Sequence, residues 1–303
     1  MDRERLFRTL TFWLRPDFVL RVVNRFQKVA GFDRSMALAS GALSALIPLA
    51  MLSGALFGEE AGARMVNRYG LTGGGAEAVR SVFSAGATSA GVGVFGMVFL
   101  AISVLSFSRA LQRLFEQTWD LRPLGVRNTR NGLEWICTLS LYTAVIGWIY
   151  AALGWGHLGL AAAVCEIPVT AVFLTWSGWI LSAKRLARAV LLPFAISAAV
   201  LSAAYSVVAT AYLPRLFNSY ASRYGAAGAV FGMASALFTA MLILVASAAL
   251  GREVRDELVQ IRQGRRPSHH EVRRQWDSIV EQVRLRWRTV RKPAPRQESE
   301  DSR

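Results

Sequence analysis

Residues Ala226–Leu250 read AAGAVFGMASALFTAMLILVASAAL, twenty-five positions without one ionisable side chain. As an α-helix the block is about 37 Å long, more than the roughly 30 Å hydrocarbon core of a bilayer. It is apolar on every face, unlike a helix that lies on a water-exposed surface. The stretch predicts a transmembrane helix. Five more blocks pass the same length test toward the N-terminus: Ala189–Tyr212, Leu158–Leu181, Leu133–Leu153, Ala85–Phe107 and Ser35–Phe57. Gly154-Trp155-Gly156-His157 leaves room for only a tight hairpin between the third and fourth spans. The fold class expected is therefore all-α: a six-transmembrane-helix bundle over 35–250. A basic amphipathic segment over 1–34 precedes it. A charged helical tail over 251–303 follows, its end polar and expected to be disordered.

Composition agrees. Of 303 residues 53% are hydrophobic and 18% charged, below the roughly 25% charged of soluble domains. Orientation follows from Lys and Arg, which gather on the cytoplasmic side of spans. Thirty of the 35 fall before the first span, in 108–132, in 182–188 or after 250. Five fall in 58–84 and 213–225. Both termini are thus expected in the cytoplasm. The net charge of +15 flanks apolar spans, so the partner it implies is anionic lipid headgroups, not nucleic acid. The first apolar block starts at residue 35 and is too long for a signal-peptide core. Cys137 and Cys165 both lie within apolar blocks and predict no disulfide framework. His157, His269 and His270 supply no metal cluster, and no cofactor motif is present.

Outside the spans, Asp17–Gly31 sets Phe18, Val22, Phe26 and Val29 at helical spacing against Arg21, Arg25 and Lys28. Such a helix lies in the headgroup layer or packs under the bundle. The loop expected at Ser108–Gly132 holds a similar stretch, with Leu111, Leu114, Phe115 and Trp119 against Arg109 and Arg113. Gly73-Gly74-Gly75 divides the longest outer loop as a turn.

Inside the spans, close helix packing needs small residues, because lipid supplies no hydrophobic drive between helices. Gly228, Gly232, Ala236 and Ala240 form such a stripe, as do Ala37, Gly41 and Ala45. The stripes fit a neighbouring helix or a second subunit, so a homo-oligomer stays open. Pro48 in the first span and Pro168 in the fourth each remove a backbone hydrogen bond and free a carbonyl. Glu166 is the sharpest residue. A charge at that depth costs at least about 2.5 kcal/mol, and no Lys or Arg lies at membrane depth to offset it. Partners expected for it are Tyr142, Thr143, Tyr205, Ser206 or a freed carbonyl. Two readings fit: a carboxylate that binds a coupling proton or cation, or a protonated structural Glu.

Several short runs bear a resemblance. The first span carries Ala39-Ser40-Gly41-Ala42-Leu43-Ser44-Ala45-Leu46-Ile47-Pro48-Leu49, with Ser44, Pro48 and Leu49 as its motif positions. The fifth opens on Leu191-Leu192-Pro193, and the sixth follows Tyr224-Gly225-Ala226-Ala227-Gly228. Gly251, Glu253 and Glu257 follow the sixth. In these runs the chain resembles the YihY/virulence factor BrkB family of bacterial inner-membrane proteins. It departs from that pattern at Ser40-Gly41, where aromatic residues are usual, and at Arg252, where alanine is usual. The resemblance implies six helices, an inner-membrane location and cytoplasmic termini. An old ribonuclease label attached to the family finds no metal-holding cluster here, so no catalytic residues are expected and an enzyme is disfavoured. Two functions are carried forward. One is a transporter or permease with Glu166, Pro168 and Pro48 on its path and its substrate open. The other is a non-transporting membrane scaffold that binds lipid or a partner.

Overall fold

The structure, a computed structural model, describes residues 16–57, 90–124, 129–153 and 159–263, with isolated positions between 63 and 84. Every regular element among them is an α-helix. The hairpin expected at Gly154–His157, most of the loop from 58 to 84 with its glycine triplet, and the tail beyond 263 with its two histidines lie outside the described residues.

Helix α1 is Pro16–Lys28. Proline suits its first position because the missing N–H is one that no helix satisfies. Asp17 in the first turn and Arg25 and Lys28 in the last complement the helix dipole. The chain then turns through Ala30, at φ 50. Helix α2, Gly31–Phe57, starts at once. A Cβ at Gly31 would strike the Phe26 ring, so any larger residue there asks that ring to move. Helices α3 (Ala90–Thr118), α4 (Thr129–Leu153) and α5 (Gly159–Leu181) follow.

The helical stretch Arg188–Arg262 is broken at Gly225, whose φ of 59 and ψ of −140 are open only to glycine. We treat it as α6, 188–224, and α7, 226–262. Close approaches between 217 and 232, 205 and 236, and 194 and 251 pair these two helices antiparallel about that break. The sixth-span stripe therefore packs within the chain. A Cβ at Gly232 would sit 3.0 Å from the Phe217 ring, and the Tyr205 hydroxyl donates to the Ala236 carbonyl at 2.9 Å. In the first-span stripe, Gly41 lies against Phe107 of α3.

Two expected loops are shorter than their apolar blocks implied. α3 runs past Phe107 to Thr118, so Leu111, Leu114, Phe115 and Trp119 are not a separate interfacial stretch; all four are buried in the core. α6 runs past Tyr212 and takes in most of the expected loop 213–225. Helix α3 closes where Leu121 N–H returns to the Glu116 carbonyl and Asp120 takes φ 51, a C-terminal cap of the Schellman kind.

The main core lies in unit Arg25–Asp256. It joins Leu114, Phe115 and Trp119 of α3 to Trp135 of α4, Leu181 of α5, Leu191 and Phe194 of α6 and Val245 of α7. Elsewhere large apolar side chains face outward, among them Trp148, Val164, Val172, Val208 and Phe231. So many would be a liability in water and are ordinary where lipid is the solvent. Among the described residues five helical segments are long and apolar enough to cross a membrane: Gly96–Thr118, Arg130–Ile149, Val164–Leu181, Arg188–Ala209 and Val230–Arg262. These belong to a multi-pass membrane protein. The first expected span lies in α2, a helix of 27 residues.

Candidate functional site

Glu166 stands in the second turn of α5 and is buried. Thr170, one turn on, shares its face and is buried too. Across from them α4 brings Tyr142, whose hydroxyl lies 3.0 Å from Thr170 Oγ1. The Tyr142 ring stacks on Phe173 at 4.0 Å between centroids and 13° between planes. That stacking fixes the phenol within electrostatic reach of Glu166. The three side chains thus form a polar cluster in the seam between two apolar helices. One hydroxyl proton is committed to the Tyr142–Thr170 bond, so the pair has one O–H left to donate to a carboxylate, and such a chain can pass a proton along it.

Two other partners expected for Glu166 have bonds of their own. Thr143 donates to the Leu139 carbonyl of its own helix, and Tyr205 is committed to α7. Pro168 faces outward, on the side of α5 away from Glu166. It withholds the N–H that would serve the Val164 carbonyl. Pro48 is buried in α2 and does the same to the Ser44 carbonyl, while the Ser44 hydroxyl donates to Ser40. Since α2 packs on α3 and α5 on α4, the structure does not gather Pro48 into the Glu166 cluster.

Of the remaining motif positions, Leu49 and Tyr224 are exposed. Pro193 sits in the opening turns of α6, next to fully buried Phe194. Gly225 makes the α6–α7 break and Gly228 is buried beneath it.

A second polar assembly, missed from the sequence, gathers at the end of the bundle where α1, α3, α5 and α7 finish. Arg25 Nε donates to Glu253 at 2.8 Å, and its other nitrogens reach Asp120 at 3.2 Å and Asp256 at 3.7 Å. Lys28 meets Asp120 at 3.1 Å, and Arg252 meets Asp256 at 3.2 Å. Glu116, buried, accepts from Arg185 at 3.1 Å and from the Leu124 N–H at 3.0 Å, which ties the two loops at this end together. Burial pulls the Arg25 guanidinium down, but the hydrogen bond and charge of Glu253, with Asp120 and Asp256, hold it above its ordinary value. Burial pushes Asp120 up; the hydrogen bond and charge of Lys28, with Arg25 and Arg252, outweigh this and hold its carboxyl below the usual range. In the terminal unit, Arg21 pairs with Glu257 at 2.7 Å. The basic side chains of α1 thus meet carboxylates, while Val19, Leu20 and Val23 are exposed.

No family profile, curated protein or solved structure matches the chain. The ion-paired end joins helices and loops, with each carboxylate answered by a cation. The Glu166 cluster instead sets one carboxylate among hydroxyls where no Lys or Arg is near in sequence.

Proposed function

We propose that this chain crosses the inner membrane six times, with both termini in the cytoplasm, and is a permease of the YihY/BrkB type. In it Glu166 binds the coupling proton or cation, and Tyr142 and Thr170 hold and relay it. The observation that carries this reading is the burial of Glu166 within a candidate span, on the face of α5 that also carries Thr170 and its partner Tyr142. A carboxylate at that depth is costly to retain unless it is used. The scaffold reading draws on a different feature, the outward Val19, Leu20 and Val23 of α1.

Two measurements test the proposal, one its topology and one its chemistry. Reporter fusions after Leu124, after Lys184 and at the C-terminus are expected to report cytoplasm, and one at Gly74 the opposite side. A cytoplasmic signal from Gly74 would end the six-span arrangement. For the carboxylate, the purified protein is placed in vesicles loaded with a pH-sensitive dye, and a potassium diffusion potential is imposed. The wild-type chain is expected to carry a proton flux that Glu166→Gln abolishes, since an amide keeps the shape but cannot titrate. Glu166→Gln should melt within a few degrees of wild type. Glu166→Leu should be less stable, as lost hydrogen bonds at a buried site cost about 1–3 kcal/mol. If Gln leaves the flux intact and Leu is merely unstable, Glu166 is structural; a wild-type chain that carries no flux leaves the scaffold reading.

A further inference from the structure

We propose that the junction of α5 and α6 is a binding site for one anionic phospholipid, its phosphate held by Arg188 and its acyl chain laid along α6. Arg188 opens α6 with its guanidinium carbon 4.2 Å from the Trp176 ring centre and 4.4 Å from that of Trp179. Stacking occupies the faces of a guanidinium and leaves its N–H edge available. Cations near it in the fold have carboxylates: Lys184 has Glu134 at 3.3 Å and Arg185 has Glu116 at 3.1 Å. Among the described residues Arg188 has no carboxylate within 4 Å, and its side chain makes no hydrogen bond. It is held in place by indoles while no carboxylate among the described residues answers its charge.

What lies beside it selects the ligand. Leu192 and Ile196, one and two turns along α6 on the same face, are both exposed, as is Trp176 on α5. Lys184, half-exposed, adds a second cation 5.2 Å from the Trp179 ring centre. A ligand that fits must be anionic at one end and apolar immediately next to it. A soluble anion leaves the apolar row uncovered, and a neutral lipid leaves Arg188 unanswered. The site stands at the end of two candidate spans, where indoles and cations meet the headgroup layer. It is independent of Glu166 and holds whether or not the chain transports anything.

The test uses the full chain in bilayers of phosphatidylcholine containing a minor share of phosphatidylglycerol, with bromine on the acyl chains of one lipid at a time. Bromine quenches nearby indoles, and the difference between wild type and Trp176→Phe isolates Trp176. The wild type is expected to favour brominated phosphatidylglycerol by about fivefold, the worth of one cation near an anionic headgroup. The preference should shrink as salt rises. Arg188→Gln should bring it to parity without changing the melting temperature, and Arg188→Lys, a fallback if Gln yields no protein, should keep part of it. Equal quenching by both lipids in the wild type overturns the proposal, as does a preference that survives Arg188→Gln. Displacement of the lipid by millimolar inorganic phosphate also overturns it, since the site would then read phosphate without the apolar row.

Discussion

Gly251→Ala will leave little or no folded protein, although it adds a single methyl group. Gly251 is buried, and a Cβ built on it would collide with the backbone nitrogen and Cα of Phe194, not with a side chain that could turn aside. Phe194, Val245 and Ala248 around it are fully buried. Relief therefore demands moving α7 bodily away from α6 and giving up packing along the hairpin. Overpacking of this kind costs about 1–3 kcal/mol where side chains can absorb it, and more where backbone must move. Gly147→Ala is the matched control, because a Cβ there meets nothing within 4 Å. Thermal melting in detergent should show Gly147→Ala unchanged and Gly251→Ala far below wild type or aggregated. A Gly251→Ala protein that melts with the wild type would mean that α6 and α7 do not approach this closely.

The contrast between these two glycines shows what could be read in advance. Long uncharged blocks announce helices in lipid, because no other open structure satisfies its backbone there. All the blocks that fall on described residues are indeed helical. Helix ends were less legible. An apolar block records how much of a helix meets lipid, whereas the helix itself continues until something stops it. Hence α3 passes Phe107 until its C-terminal cap near Asp120, and α6 passes Tyr212 until Gly225. The stripe through Gly232 was legible as a packing face, but its neighbour Phe217 was not. Glu166 could be singled out because a carboxylate in an apolar run is conspicuous, and Tyr142 stood among its expected neighbours. Thr170 carries no such signal, since a threonine is ordinary in an apolar run, although at four residues from Glu166 it shares the same helix face. The cation partners of Glu253 lay beyond reach of any periodicity: Arg25 is 228 residues away in the chain.

That pair gives the second large effect. Glu253 keeps 7% of its side chain exposed and Arg25 17%, so neither is well hydrated. Such a pair contributes little relative to apolar residues of the same volume, yet losing one partner strands a charge, which costs about 3–5 kcal/mol. Arg25→Met should therefore lower the melting temperature steeply, because Glu253 loses its 2.8 Å contact and Asp120 and Asp256 lose a cation with it. Glu253→Met should cost less than Arg25→Met, since Arg25 still reaches Asp120 and Asp256. Combining the two removes both charges, and the thioether chains can fill the space. The double variant should then be more stable than Arg25→Met alone, which independent sites would not allow. Melting of the four proteins in one detergent closes the cycle. If the losses simply add, the 2.8 Å contact carries no coupling, and α1 is held to α7 by its apolar neighbours rather than by charge. If the double variant recovers, the ion pair acts chiefly as a registration device, setting where the end of α1 meets the end of α7 at little net gain in stability.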